Sequence, residues 1–188
     1  MNMKLSLTLI LIIVNVLIFL AETAAGGTRN TETAMKFGAM YTPDVRDGEW
    51  YRLLTAMFLH FGAIHLLCNL YALYNMGPAL ERFLGIPVFL ALYLVSGLAG
   101  NLLTFFLEER SGRYSVSAGA SGAIFGLLGA YLVIALHPDY QGVSLQGILY
   151  VLLINGAYGF SRRGINVMAH LGGLAGGAAF MAVFLMTR

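Results

Sequence analysis

The chain has 188 residues, 59% hydrophobic and 11% charged, with a formal net charge of +2 and a mean hydropathy of +0.77. These values lie far outside the range of soluble globular domains and place the chain in a lipid bilayer. The few charges are scattered, which excludes nucleic acid as a partner, and the single cysteine, Cys68, excludes an internal disulfide and reads as a small buried apolar residue.

A helix needs about 20 apolar residues to cross the hydrocarbon core. Charged, proline and glycine-rich breaks divide the sequence into six apolar segments: 5–21, 58–76, 86–107, 121–136, 145–160 and 165–186. The expected fold is all-α, a polytopic membrane protein of six transmembrane helices in one bundle, with a single domain over 1–188. Twenty-three glycines against four prolines read as close helix packing, because small residues let backbones approach where lipid supplies no hydrophobic drive.

The first segment follows Lys4 and precedes Ala21, Thr23, Ala24 and Ala25, a pattern shared with signal peptides. Its apolar run exceeds the roughly 7 to 15 residues of a signal-peptide core, which favours a membrane span. The connection over 22–57 holds most of the loop charge. In the second segment His65 and Asn69, four apart, share one helix face. They serve either as interhelical hydrogen-bonding groups or as donors aimed at a developing oxyanion. On a helical wheel His60 points about 140° away from His65, which argues against a three-ligand metal site, and no His-Glu-x-x-His occurs.

The fourth segment, sixteen residues beginning at Ser121, spans only about 24 Å of a core about 30 Å thick. With its far end, before His137-Pro138, at one surface, Ser121 stops below the other. Residues 115–120 must then descend as irregular backbone, which is tolerated only beside protein or water. That geometry predicts a wet depression with Ser121 at its floor, at a helix N-terminus whose dipole favours negative charge. His170 lies near the start of the sixth segment, about 8 Å below the same surface by helix rise. Gly122 and Gly126, like Gly173 and Gly177, form G-x-x-x-G pairs that permit close helix approach, or simply pack. Ionisable groups at bilayer depth cost roughly 2.5 to 3.5 kcal/mol when charged, so a serine and a histidine at matching depth read as functional.

Taken in order, Trp50-Tyr51-Arg52, the run from Leu53 to His60, His65-x-x-x-Asn69, Gly77, Glu81, Gly119-Ala120-Ser121-Gly122 and Ala169-His170-x-x-Gly173-x-x-x-Gly177 carry a resemblance over nearly the whole chain. It resembles the rhomboid family of intramembrane serine proteases, in the minimal six-span bacterial form. The resemblance implies a serine endopeptidase with Ser121 as nucleophile and His170 as general base, a dyad without a carboxylate. It implies His65, Asn69 and the Ser121 amide as oxyanion hole, and a first connection lying partly in the membrane, anchored by Arg52. Packing roles fall to Gly119, Gly122, Gly126, Gly173, Gly177, Phe125 and Glu81. Phe125 stands where the family often has a tyrosine stacked under the histidine, and Tyr51 separates Trp50 from Arg52 where the family has an adjacent pair. Asn166, one turn before His170, is a candidate to orient the imidazole.

The implied partners are transmembrane protein substrates within the lipid bilayer, with no cofactor and no metal. Clients with helix-weakening glycine or proline near the outer surface are favoured, because helical carbonyls must be freed before attack. The alternative reading, a catalytically inactive rhomboid-like protein that binds membrane-protein clients, expects one of the dyad to be missing. A transporter or channel expects charges in mid-span or an inverted repeat. The expected location is the bacterial cell membrane, with both termini in the cytoplasm and the active site opening to the extracytoplasmic side. Only Lys4, Arg82 and Arg188 of the 11 basic residues then lie inside, so the positive-inside rule favours the reverse orientation. Oligomeric state leaves no mark on the sequence.

Overall fold

The computed structural model describes residues 6–140, 142–161 and 166–187. Lys4 and Arg188, together with the expected starts at Leu5 and Ile165, lie outside the described residues. The helices are α1 (Leu7–Ala24), α2 (Thr31–Lys36), α3 (Thr42–Arg46), α4 (Arg52–Thr55) running into a 3-10 turn (Ala56–Phe58), α5 (Ala63–Leu84), α6 (Ile86–Ser111), α7 (Ser121–Leu136), α8 (Leu145–Ser161) and α9 (Val167–Met186). Among the described residues extended pairing is confined to one antiparallel bridge, Met40 with Ser117.

Three helices, α1, α6 and α9, are long and apolar enough to cross a membrane. The bent pair Arg52–Phe58 and Ala63–Leu84, turned by 90°, makes a fourth when counted as one span. Six crossings were expected; of the remaining apolar helices, Ser121–Leu136 and the described stretch Leu145–Ile154 are shorter than that length.

Several boundaries move outward. The second segment does not stop before Pro78, because α5 continues through that proline to Leu84. The third runs on through Glu108, Glu109 and Arg110 until Gly112, at φ +67, ends it in the left-handed conformation. α7 begins at Ser121 and ends at Leu136, the sequence expectation to the residue. Cys68, expected to be buried, is exposed. It lies between Leu67 and Asn69, and apolar residues on an outward helix face are normal where the solvent is lipid.

The fold comprises two compact units, one running to Ala91 and including Phe105–Ser121, the other formed by Leu92–Thr104 and the chain from Gly122 onward. In the first unit Glu81 closes the start of α1. Its carboxylate accepts the Ser6 hydroxyl at 2.7 Å, the Leu7 and Thr8 amides at 2.8 and 2.9 Å, and the Thr8 hydroxyl at 2.7 Å. Four donors of an otherwise uncapped helix end are thus satisfied by one side chain. Gly77, a turn earlier in α5, lies against Thr8, where a methyl would meet the threonine side chain at 2.7 Å.

Candidate active site

Ser121 is the first residue of α7, and the segment before it is fastened residue by residue. Ser117 and Met40 exchange both backbone hydrogen bonds at 2.9 Å, and the Gly119 amide donates to Ala56 O at 2.9 Å. Glu108, at the end of α6, receives the Thr42 hydroxyl at 2.5 Å on one oxygen and the Ser115 hydroxyl at 2.7 Å on the other. Irregular backbone over 115–120 is therefore covered by the first connection, which supplies partners that lipid cannot.

Gly119 has φ +140, a conformation that favours glycine. A methyl there would meet His65 Cε1 at 2.7 Å, His65 Nε2 at 2.9 Å and Ser121 Oγ at 3.6 Å. The imidazole edge of His65 and the serine hydroxyl thus flank one bare Cα. Asn69, one turn beyond His65 on α5, is buried, and its Nδ2 has no hydrogen-bond partner among the described residues. A buried amide donor without an acceptor is costly unless something polar comes to meet it.

His60 overturns the helical-wheel expectation. Its ring is fully buried and packs edge-on against His65, with centroids 5.0 Å apart and planes at 65°. The wheel fails because α5 starts only at Ala63 and Gly62, at φ +88, breaks the helix before it. The Ala120 amide donates to His60 Nε2 at 3.5 Å, and the His60 amide donates to the buried Glu22 carboxylate at 3.3 Å. Neither His60 nor Glu22 was singled out as a site residue from sequence. Gly62 was the available signal, since a glycine just before a periodic run marks a helix boundary.

Arg52 is buried and organises the first connection. Its guanidinium donates to Met35 O at 2.9 Å, to Ala39 O at 3.0 Å and to Glu49 at 2.5 Å, and it lies 3.3 Å from Asp44. The Glu49 carboxyl is held below its ordinary range, first by the Tyr51 hydroxyl and then by Arg52. Next to this anchor Trp50 leans on Phe105 with centroids 5.6 Å apart.

In the second unit Phe125 of α7 lies flat against the His170 ring of α9, centroids 4.1 Å apart and planes 9° from parallel. Phe125 thus supplies the stacked ring expected under the histidine. The Cα atoms of Gly173 and Gly177 face the backbones of Gly122 and Gly126 respectively, so a methyl at either would overlap a carbonyl group. Asn166 acts on the helix end. Its Oδ1 accepts the Ala169 amide at 2.9 Å and the Thr104 hydroxyl at 3.2 Å, which makes it the N-cap of α9.

Comparison with known proteins covers the same stretch of the chain. The family profile described as the rhomboid domain matches residues 47–187. Rhomboid protease GluP of Bacillus subtilis is 40% identical over 178 residues, covering 94% of this chain and 34% of that protein. YdcA of the same organism is 42% identical over 154 residues, covering 79% of this chain and 73% of that protein. RHOMBOID-like protein 5 of Arabidopsis thaliana is 36% identical over 160 residues, covering 83% of this chain and half of that protein. The chain spans about a third of the length of GluP. A profile match that takes in α4 through α9, apolar helices of membrane length and these identities over most of the chain together establish that this integral membrane protein belongs to the rhomboid family.

Proposed function

We propose that this chain is an intramembrane serine protease that cleaves transmembrane protein substrates with a Ser121–His170 dyad, in one rhomboid-type domain of six spans over residues 1–188. The observation that carries the reading is that His65 Nε2 and Ser121 Oγ both border the bare Gly119 Cα, with the buried Asn69 Nδ2, without a partner among the described residues, one turn along α5. Such donors, already fixed and desolvated, are what a tetrahedral oxyanion needs.

Ser121 Oγ attacks the carbonyl carbon of the scissile peptide while His170 accepts its proton. Negative charge gathers on the carbonyl oxygen, where His65, the Asn69 amide and the Ser121 N–H receive it. His170, its ring face stacked on Phe125, then protonates the leaving amine, and water admitted from the surface hydrolyses the acyl-enzyme. Substrate carbonyls tied into helical hydrogen bonds must first be released, so clients with glycine or proline near the cleavage site are preferred.

Purified protein is expected to cleave a model transmembrane substrate, with cleavage lost in Ser121→Ala and in His170→Ala. A serine-directed phosphonate is expected to label wild type and not Ser121→Ala. A wild type that binds the substrate without cutting it would favour the client-binding, inactive reading instead. We further propose that the site opens away from the cytoplasm. A reporter fused after Arg188 should then read as cytoplasmic, against the charge count of the loops.

A further inference from the structure

We propose that His60 is the positioning residue of the oxyanion hole: through its ring it sets His65, and through Nε2 it sets the amide next to Ser121. The inference rests on the oxyanion reading above and extends it to a residue outside the proposed set of donors.

Two contacts of one buried side chain and one of its own backbone amide carry it. The ring meets His65 edge-to-face at 5.0 Å. The Nε2 atom accepts the Ala120 N–H at 3.5 Å. The residue itself is tethered, because its own N–H donates to the Glu22 carboxylate at 3.3 Å, and Glu22 is fully buried in α1. The two peptide groups before Ser121 are therefore both fixed, Gly119 N–H by Ala56 O and Ala120 N–H by His60. Anchoring these two amides leaves only the Ala120 dihedrals between the tethered strand and the first peptide of α7, which carries the Ser121 N–H. His60 thus links two donors that come from different parts of the sequence, His65 in α5 and Ser121 at the start of α7. Accepting the Ala120 proton also assigns the tautomer: Nε2 carries no hydrogen, so the ring proton sits on Nδ1.

The test combines kinetics with a reading on wild type. His60→Leu, which keeps bulk but removes the acceptor, is expected to lower kcat about 10²-fold, the scale of a displaced catalytic group, with KM within about twofold. His60→Gln, whose amide oxygen reaches to the Nε2 position, is expected to recover kcat to within about threefold of wild type, a rescue that loss of packing alone does not explain. Histidine 15N NMR of wild type in bilayers should show an unprotonated Nε2 on His60. A wild-type kcat in His60→Leu, a Gln variant no better than Leu, or a protonated Nε2 would each overturn the inference. Should either variant fail to fold, the wild-type spectrum still decides it. Absence of cleavage by wild type itself would count against the protease reading and leave the tautomer result standing on its own.

Discussion

Up to Ala91 the chain is tied together by side chains that reach backbone groups, Arg52 to the carbonyls of Met35 and Ala39, Glu81 to the amides of Leu7 and Thr8. Beyond Gly122, α7 and α9 meet backbone to backbone, Gly122 against Gly173 and Gly126 against Gly177. Both devices answer the same shortage, since lipid tails are as apolar as leucine and burial alone drives no association. The difference teaches where each is usable. Irregular loops expose peptide groups that must be satisfied, and only long polar side chains can reach them. Regular helices have satisfied their own peptide groups, so what remains to be gained is contact area, and removing side chains yields it.

The glycine contacts should therefore be the least forgiving. Gly177→Leu or Gly173→Leu forces a side chain into backbone that cannot swing aside, and the expected destabilisation is at or above the roughly 1 to 3 kcal/mol of ordinary overpacking. Thermal unfolding in detergent measures it, and hydrogen exchange should rise first over 122–136 and 167–186. Gly147→Ala in α8, which meets only the Ser144 side chain at 3.4 and 3.5 Å, serves as the contrast. It is expected to leave stability unchanged or raise it by about 0.5 kcal/mol. Equal loss in both would dissolve the distinction between contact glycines and the rest.

Next in size is the arginine anchor. Arg52→Ala strands the carbonyls of Met35 and Ala39, while the part-exposed carboxylates of Asp44 and Glu49 turn to water, and about 1 to 3 kcal/mol is expected from the unsatisfied buried acceptors. Faster exchange over 31–58, with 167–186 still protected, would show that the two devices fail separately. Glu49→Gln should have the smallest effect. Because the Glu49 carboxyl is held below its ordinary range, its contribution is present above that range and is lost as pH falls through the depressed value. A small difference in melting temperature at pH 7 that disappears in acid fits this sign, whereas a difference that grows on acidification contradicts it.

Much of this arrangement was legible in the sequence. The sixteen-residue segment beginning at Ser121 could be read as a short helix because charge and glycine bracket an apolar run. The paired glycines declared their own face by spacing. Legibility ended where local rules met tertiary partners. Pro78 reads as a helix end, yet α5 passes through it. The first connection reads as a charged loop, yet contains α2, α3 and α4, held in place by Arg52 from another part of the same stretch. His60 was misplaced by a wheel that assumes helix where Gly62 breaks it. Asn166 was read only for its place one turn before His170, and its capping role, the usual one for an asparagine just before an apolar helix, went unread.

The bridge between Met40 and Ser117 has a consequence for how this protein tolerates change. Its two reciprocal bonds join peptide groups, so the approach of the chain to Ser121 is anchored by atoms that nineteen of the twenty residue types share. Drift at positions 40 and 117 leaves the tether in place, and proline, which brings no N–H, is the one replacement that deletes half of it outright.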